Sequence, residues 1–284
     1  MIKQIAILLA LQLPFATIAD NKDGEILTIG FGSGKAPFTL FDKQMIRAEG
    51  HEKHYGIEYS IVRQAILLMH KNIKPKSIPP RELKKSIKKF RNIDAVSGVS
   101  RSSRDKLYYS KPILENTYIA VSRSSLGSKI NSVSNLSSYR VSARTGSYAT
   151  IRDGFSKLYH PKKGTHTNRY KEYDSNLNQH ANFWKAGSEV VMITTEESFN
   201  HYRALLGATY DTSVEVELAQ IFPTKIRLYV AFRNRNLKNE FNEALEDLKF
   251  EGVYSRIFKH YNPELSPDFR RPNEVELLRQ LKDI

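Results

Sequence analysis

Ile26-Leu27-Thr28-Ile29-Gly30-Phe31 runs directly into Gly32-Ser33-Gly34-Lys35-Ala36-Pro37, and this stretch decides how the rest of the chain is read. A β-rich apolar run ending in a Gly-rich turn predicts a first strand. Beyond a polar insertion at 42–54, Ile57, Ile61, Ala65, Leu68 and Met69 recur at helical spacing. Residues 73–78 read as a second strand, and Pro79-Pro80 opens a helix with Leu83, Ile87 and Phe90 on its apolar side. Residues 94–99 read as a third strand. The order β-α-β-α-β predicts a half of a doubly wound sheet.

After an extended segment at 118–122 and a Ser-rich loop at 124–138, a second series of the same kind begins. Strands are expected at 140–144, 167–173 and 189–194, with helices at 148–159, around Leu177, Ala181 and Trp184, and at 196–206. Two more strands, at 214–219 and 226–232, precede a helix bearing Leu237, Phe241, Ala244 and Leu248, a stop at Gly252 and a helix at 253–261. Strands and helices that alternate this way predict an α/β protein with largely parallel sheets. Two similar halves with strands at the seams imply two lobes joined by two crossings, built to close by hinge bending.

Composition narrows the function. The chain has 284 residues, 40% hydrophobic and 26% charged, with no Cys. It is globular, with the length of about two domains, and it offers no disulfide, thiolate metal site, iron–sulfur cluster or Cys nucleophile. The eight His are scattered, so no metal or other cofactor is expected. The net charge of +14 raises nucleic acid, anionic membrane and acidic ligands as partners. Its densest run, Lys84-Lys85 with Lys88-Lys89 and Arg91, lies on the polar side of an amphipathic pattern, as a solvated face does. No nucleic-acid partner is expected. Gly30-Phe31-Gly32-Ser33-Gly34 lacks the Gly-Lys-Ser/Thr ending of a phosphate loop.

The first residues carry Lys3, an apolar run at 5–13 and the small residues Thr17 and Ala19. That pattern predicts a signal peptide over residues 1–19, cleaved after Ala19, and a periplasmic mature protein. The run is too short to span about 30 Å of hydrocarbon.

An ordered set of motifs then resembles the family 3 extracellular solute-binding proteins, typified by periplasmic receptors for polar amino acids. It comprises Ala36-Pro37-Phe38-Thr39-Leu40, Gly56-Ile57-Glu58, Asp94-Ala95-Val96-Ser97-Gly98-Val99-Ser100 leading to Arg104, Tyr109-Ser110-Lys111-Pro112, Leu136-Ser137-Ser138-Tyr139-Arg140-Val141 and Thr145-Gly146-Ser147, with Ala244-Leu245 and Glu251-Gly252 near the end. The resemblance covers residues 26–262. It implies a type II-like periplasmic binding fold, lobe 1 at 20–119 plus 226–284 and lobe 2 at 120–225. The stretch 273–284 lies beyond it and is expected to form an extra packing helix.

The family's carboxylate-binding Arg matches Arg104, whose planar fork suits a carboxylate. The turn before it is one residue short, which leaves Arg101 as the alternative. Ser97 and Ser100 match positions facing the cleft, as does Phe38 in the Ala-Pro-Phe element. Gly146 and Ser147, at a helix start, would supply an anion site from the second lobe. Two departures stand out: Thr195, followed by Glu196, replaces the family's ammonium-binding Asp, and Lys35 replaces an aromatic residue. With Lys35 and Arg104 facing at most Glu196, an acidic ligand is favoured.

These residues imply a binding protein, not an enzyme, that captures a small amino acid or carboxylate. It would act as a monomer and present the solute to an ABC-type transporter or a sensor. The alternatives are a lyase of the cyclohexadienyl dehydratase kind and an interaction protein with a decayed cleft.

Overall fold

The computed structural model describes residues 24–33, 35–42, 53–79, 82–89, 92–151, 153–185 and 189–261. The expected signal peptide, Gly34, Phe90, Arg91 and the stretch 273–284 lie outside them.

The first sheet starts from β1 (Ile26–Gly32), which pairs in parallel with β4 (Asn72–Ile78) on one side and β5 (Ala95–Val99) on the other. Between β1 and β4 the chain makes a small antiparallel pair, β2 (Leu40–Asp42) with β3 (Lys53–Tyr55). The ends of the polar insertion are therefore ordered structure. Strands β6 (Tyr108–Tyr109) and β7 (Leu114–Asn116) then run antiparallel to β13 (Ile226–Phe232), which itself lies antiparallel to β5.

The second sheet repeats this layout. Its β9 (Arg140–Arg144) sits between parallel partners β10 (Tyr170–Tyr173) and β11 (Val190–Thr195), while β8 (Tyr118–Arg123) runs antiparallel to β11 and to β12 (Val216–Ala219). The sheets are thus mixed, not largely parallel. Parallel pairing is confined to three strands of each half, where helical crossovers return the chain in the same direction. The chain passes from one sheet to the other between Asn116 and Tyr118, and back between Ala219 and Ile226.

Helices cover both faces of the first sheet. Leu27, Ile29 and Phe31 alternate toward α1 (Ile57–Leu68), and toward two helices from the end of the described chain, Arg235–Phe250 and Val253–Tyr261. On the opposite face, α2 (Leu83–Lys89) packs Leu83 and Ile87 against Ile78 and Val96. Gly30 lies beneath that contact, where a Cβ would stand 2.7 Å from Ile78 Cδ1. The glycine lets the helix layer sit down on the strand.

In the second half, the expected helix at 148–159 is two short pieces, α3 (Ser147–Thr150) and α4 (Phe155–Tyr159). Asp153 and Gly154 between them take positive φ, which ends a right-handed helix. The expected strand at 167–173 opens with a 3-10 turn at Thr167–Arg169. Two longer helices, α5 (Asn176–Trp184) and α6 (Glu196–Leu206), build one core with Phe183, Trp184, Met192 and Phe199. Phe155, Tyr159 and Phe222 anchor the core on the other face. Arg235–Phe250 and Val253–Tyr261 are α7 and α8 below. No helix among the described residues is long and apolar enough to cross a membrane.

Candidate functional site

Four segments leave the carboxyl ends of parallel strands: 33–39 after β1, 100–104 after β5, 145–147 after β9 and the start of α6 after β11. Open α/β sheets bind ligands at such strand ends. Ala36 belongs to the same buried cluster as Ile119, Leu177 and Phe199, and Leu40 packs against it. The segment after β1 therefore touches the second half of the molecule.

That segment is a closed loop. The amides of Phe38 and Thr39 both donate to the Lys35 carbonyl, at 2.7 and 3.0 Å, and the Thr39 hydroxyl donates to the Gly32 carbonyl at 2.7 Å. Its carbonyls also cap α1: the Ile57 amide donates to Pro37 and the Glu58 amide to Phe38. Phe38 is buried in the first core, where its ring does structural packing.

The loop aims Lys35 at β5, where the ammonium donates to the Gly98 carbonyl at 3.2 Å. Beneath lies Glu58, fully buried. A Cβ on Gly98 would stand 2.6 Å from both Glu58 oxygens, and Gly98 has a φ of 69°. Burial pushes the Glu58 carboxyl above the usual range, while the Lys35 charge and the neighbouring Ser97 hydroxyl pull the other way. Ser97 is fully buried beside the carboxylate without closing a hydrogen bond of good geometry. Lys35 thus faces an acid of the protein.

Ser100 is exposed at the end of β5. Arg104 is exposed two turns of loop later, and its amide donates to the Ser102 hydroxyl at 3.2 Å; its guanidinium has no partner among the described residues. Arg101 is placed differently, with its charge acting on the Tyr109 hydroxyl, which donates to Asp105 at 2.7 Å.

In the second half, the Gly146 amide donates to the Glu172 carboxylate at 3.0 Å, and the Tyr170 hydroxyl donates to the same oxygen at 3.0 Å. Ser147 is buried at the start of a four-residue helix. One donor of the anion site expected there, the Gly146 amide, is thus engaged by a carboxylate of the chain. Thr195 caps α6, accepting from the Ser198 amide at 3.3 Å. Glu196 is exposed, whereas Glu197 is half-buried. Burial raises the Glu197 carboxyl; its own amide and the Thr195 hydroxyl oppose the shift, and the Glu196 charge adds to it. Glu197 also acts on the Tyr254 hydroxyl of α8, so it lies toward the seam between the halves.

Behind this helix start, the Gln179 amide donates to the carbonyls of Ser142 and Ile193 at 3.2 and 3.0 Å, past the last β9–β11 pair at Met192 and Ser142. It satisfies carbonyls that the ladder leaves open where the strands part. Buried His180 sits beside it, Nδ1 on the Asn176 carbonyl at 2.7 Å.

The sequence reading missed Glu58, Glu172 and Glu197 as acids near these strand ends. Once they are counted, Lys35 and Arg104 no longer outnumber the acids near these strand ends, so an excess of positive charge does not by itself select an acidic ligand. Among the described residues no cluster of His, Asp and Glu could hold a metal ion.

No family model and no curated protein matches the chain. Solved structures do. The arginine-, lysine-, histidine-binding protein ArtJ from Geobacillus stearothermophilus aligns with a TM-score of 0.60 at 18% identity, over 89% of this chain and 99% of that one. This is the fold of two-lobed amino-acid-binding proteins. An L-arginine-bound substrate-binding protein of an amino-acid ABC transporter from Streptococcus pneumoniae gives 0.60 at 14% identity, over 83% of this chain and 94% of that one. An ancestral amino-acid-binding protein described as a precursor of cyclohexadienyl dehydratase gives 0.61 at 16%, over 84% and 95%. The two-lobed fold gives the strand-end segments their setting: in it, the two sheets face each other across a cleft.

Proposed function

We propose that this chain is a periplasmic solute-binding protein that captures a small polar solute of the amino-acid class between its lobes. The observation that carries the reading is the arrangement of the four strand-end segments, two from each sheet, on a chain that crosses twice between the sheets. The solved structures of the same fold that bind amino acids support it. Lobe 1 would comprise 20–119 plus 226–284, and lobe 2 residues 120–225.

In this reading Arg104 holds the ligand carboxylate through its planar fork, with Ser100 beside it. Glu197, half-buried at the first turn of α6, takes the ammonium in place of the Asp that the family carries at the position of Thr195. Lys35 and Glu58 neutralise each other at the wall of the first lobe, so the cleft suits a zwitterion. The mature protein would be a monomer released by cleavage after Ala19, and its partner an ABC-type permease or a sensor.

Mass spectrometry of small molecules released on denaturing protein purified from the periplasm tests the reading. An amino acid or related polar solute recovered in stoichiometric amount supports it. Conversion of prephenate or arogenate to aromatic product would instead make the chain a lyase.

A further inference from the structure

On the α5 side of the second sheet lies a cavity of about 440 Å³. The amino ends of β9 and β11 and the length of β10, from Tyr170 to Tyr173, form its floor, and Asn182 and Lys185 close it from the α5 side. The parallel register puts Arg140 and Ser142 of β9, Lys171 and Tyr173 of β10 and Val190 of β11 on one face of the sheet, the α5 face.

Its charge is one-sided. Arg140, Arg169, Lys171 and Lys185 line the cavity, all exposed, against one acid, Glu189. None of the four cations pairs with an acid among the described residues. Arg169 donates to the Ser137 carbonyl at 2.9 Å, and the Lys171 ammonium lies 4.9 Å from the centre of the Tyr173 ring. Gathering cations around one cavity raises the local concentration of anions.

A second, independent feature points the same way. Ser142 is 1% exposed, and its hydroxyl is buried with no hydrogen-bond partner; the Tyr173 hydroxyl is likewise buried and unpartnered. Buried hydroxyls are almost always satisfied in folded proteins. Both residues line the cavity ringed by cations; their hydroxyls are covered in the free protein, and a side-chain rotation that brings either to the cavity lets it donate to an oxyanion.

We propose that this cavity is a second binding site, separate from the interlobe cleft, for a phosphate-bearing ligand. Its volume falls in the range of small-molecule sites. Guanidinium and ammonium groups together with hydroxyl donors make the charge-assisted bonds that hold phosphate oxygens.

Trp184, the only tryptophan, immediately precedes Lys185 and gives the readout. Titrating the full mature chain with inorganic pyrophosphate, at constant ionic strength, should change its fluorescence saturably. Arg140→Ala and Lys171→Ala should each raise the dissociation constant by about tenfold or more. Ser142→Ala should weaken binding several-fold while leaving the unfolding midpoint of the free protein unchanged or higher, because it removes a hydroxyl that has no partner. Arg104→Ala should leave the pyrophosphate titration unchanged, which separates this site from the cleft. Sedimentation with phosphatidylglycerol vesicles distinguishes the sources: co-sedimentation lost in Lys171→Ala identifies a lipid headgroup, and its absence beside intact pyrophosphate binding identifies a soluble phosphate compound. No saturable response, or one insensitive to Arg140→Ala and Lys171→Ala, overturns the proposal.

Discussion

Replacing Gly98 by alanine strikes the close contact between β5 and the Glu58 carboxylate in the wall of the first lobe. Two costs follow from the geometry. The residue has a φ of 69°, and a side chain held in the left-handed region costs roughly 1–2 kcal/mol. The new methyl would also stand 2.6 Å from both oxygens of Glu58 and 2.8 Å from its carboxyl carbon. Overpacking of this kind typically costs about 1–3 kcal/mol. Gly98→Ala should therefore lower stability by roughly 2–5 kcal/mol in urea unfolding, read at pH 7 with a common m-value. The second cost depends on the length of the residue-58 side chain. Glu58→Asp withdraws the carboxylate by one methylene, so the double variant should be less destabilised than the sum of the singles, by about 1 kcal/mol or more. A Gly98→Ala protein as stable as the wild type would refute the packing of Glu58 under Gly98. Additivity with Glu58→Asp would refute the contact itself.

Other consequences follow from single residues. Burial pushes the His180 imidazole down to about 4 from 6.5, with the Asn176 carbonyl opposing, so the unfolded chain binds the proton first as pH falls. Stability present above pH 6.5 is then lost toward pH 4, by about 2 kcal/mol at pH 5, and denaturation of His180→Gln at pH 7 and 5 should show that part of the slope gone. Thr195→Ala removes the cap of α6 and should cost about 1 kcal/mol in thermal or urea unfolding. By calorimetry, Arg104→Ala should weaken the cognate solute about 30-fold or more, as loss of one partner of a desolvated charge pair does, while Arg101→Ala should have a small effect; the reverse order would move the anchor to Arg101.

Much of the fold was legible because local alternation and helical spacing reflect burial directly. Leu27, Ile29 and Phe31 mark β1, and the strands at Arg140–Arg144 and Ile226–Phe232 have the bounds that the sequence suggests. The direction of β8 and β13 was not legible, since no residue pattern within a strand encodes whether its partner runs parallel. The split between α3 and α4 turned on positive φ at Asp153 and Gly154, only the second of which has a residue type that hints at it. At the site, Glu58 looked like an ordinary first-turn acid. Its burial follows from Gly98, 40 residues away in sequence. Glu172 and Gly146 likewise meet only through the pairing of β10 with β9. Arg104 and Ser100 could be named from motif order alone, but the acids that set the charge of the region required tertiary contacts.

A thermal-shift titration of the mature chain with amino acids and small carboxylates tests the interlobe site most directly. A solute at one hundred times its dissociation constant stabilises the folded state by about 2.7 kcal/mol. For a chain of this size that corresponds to a rise in midpoint of roughly 5–10 °C. The cleft assignment predicts such a rise with at least one amino acid, and its loss in Arg104→Ala at the same concentration. A panel of polar and acidic solutes that leaves the midpoint unmoved, or a rise that Arg104→Ala retains in full, would contradict it.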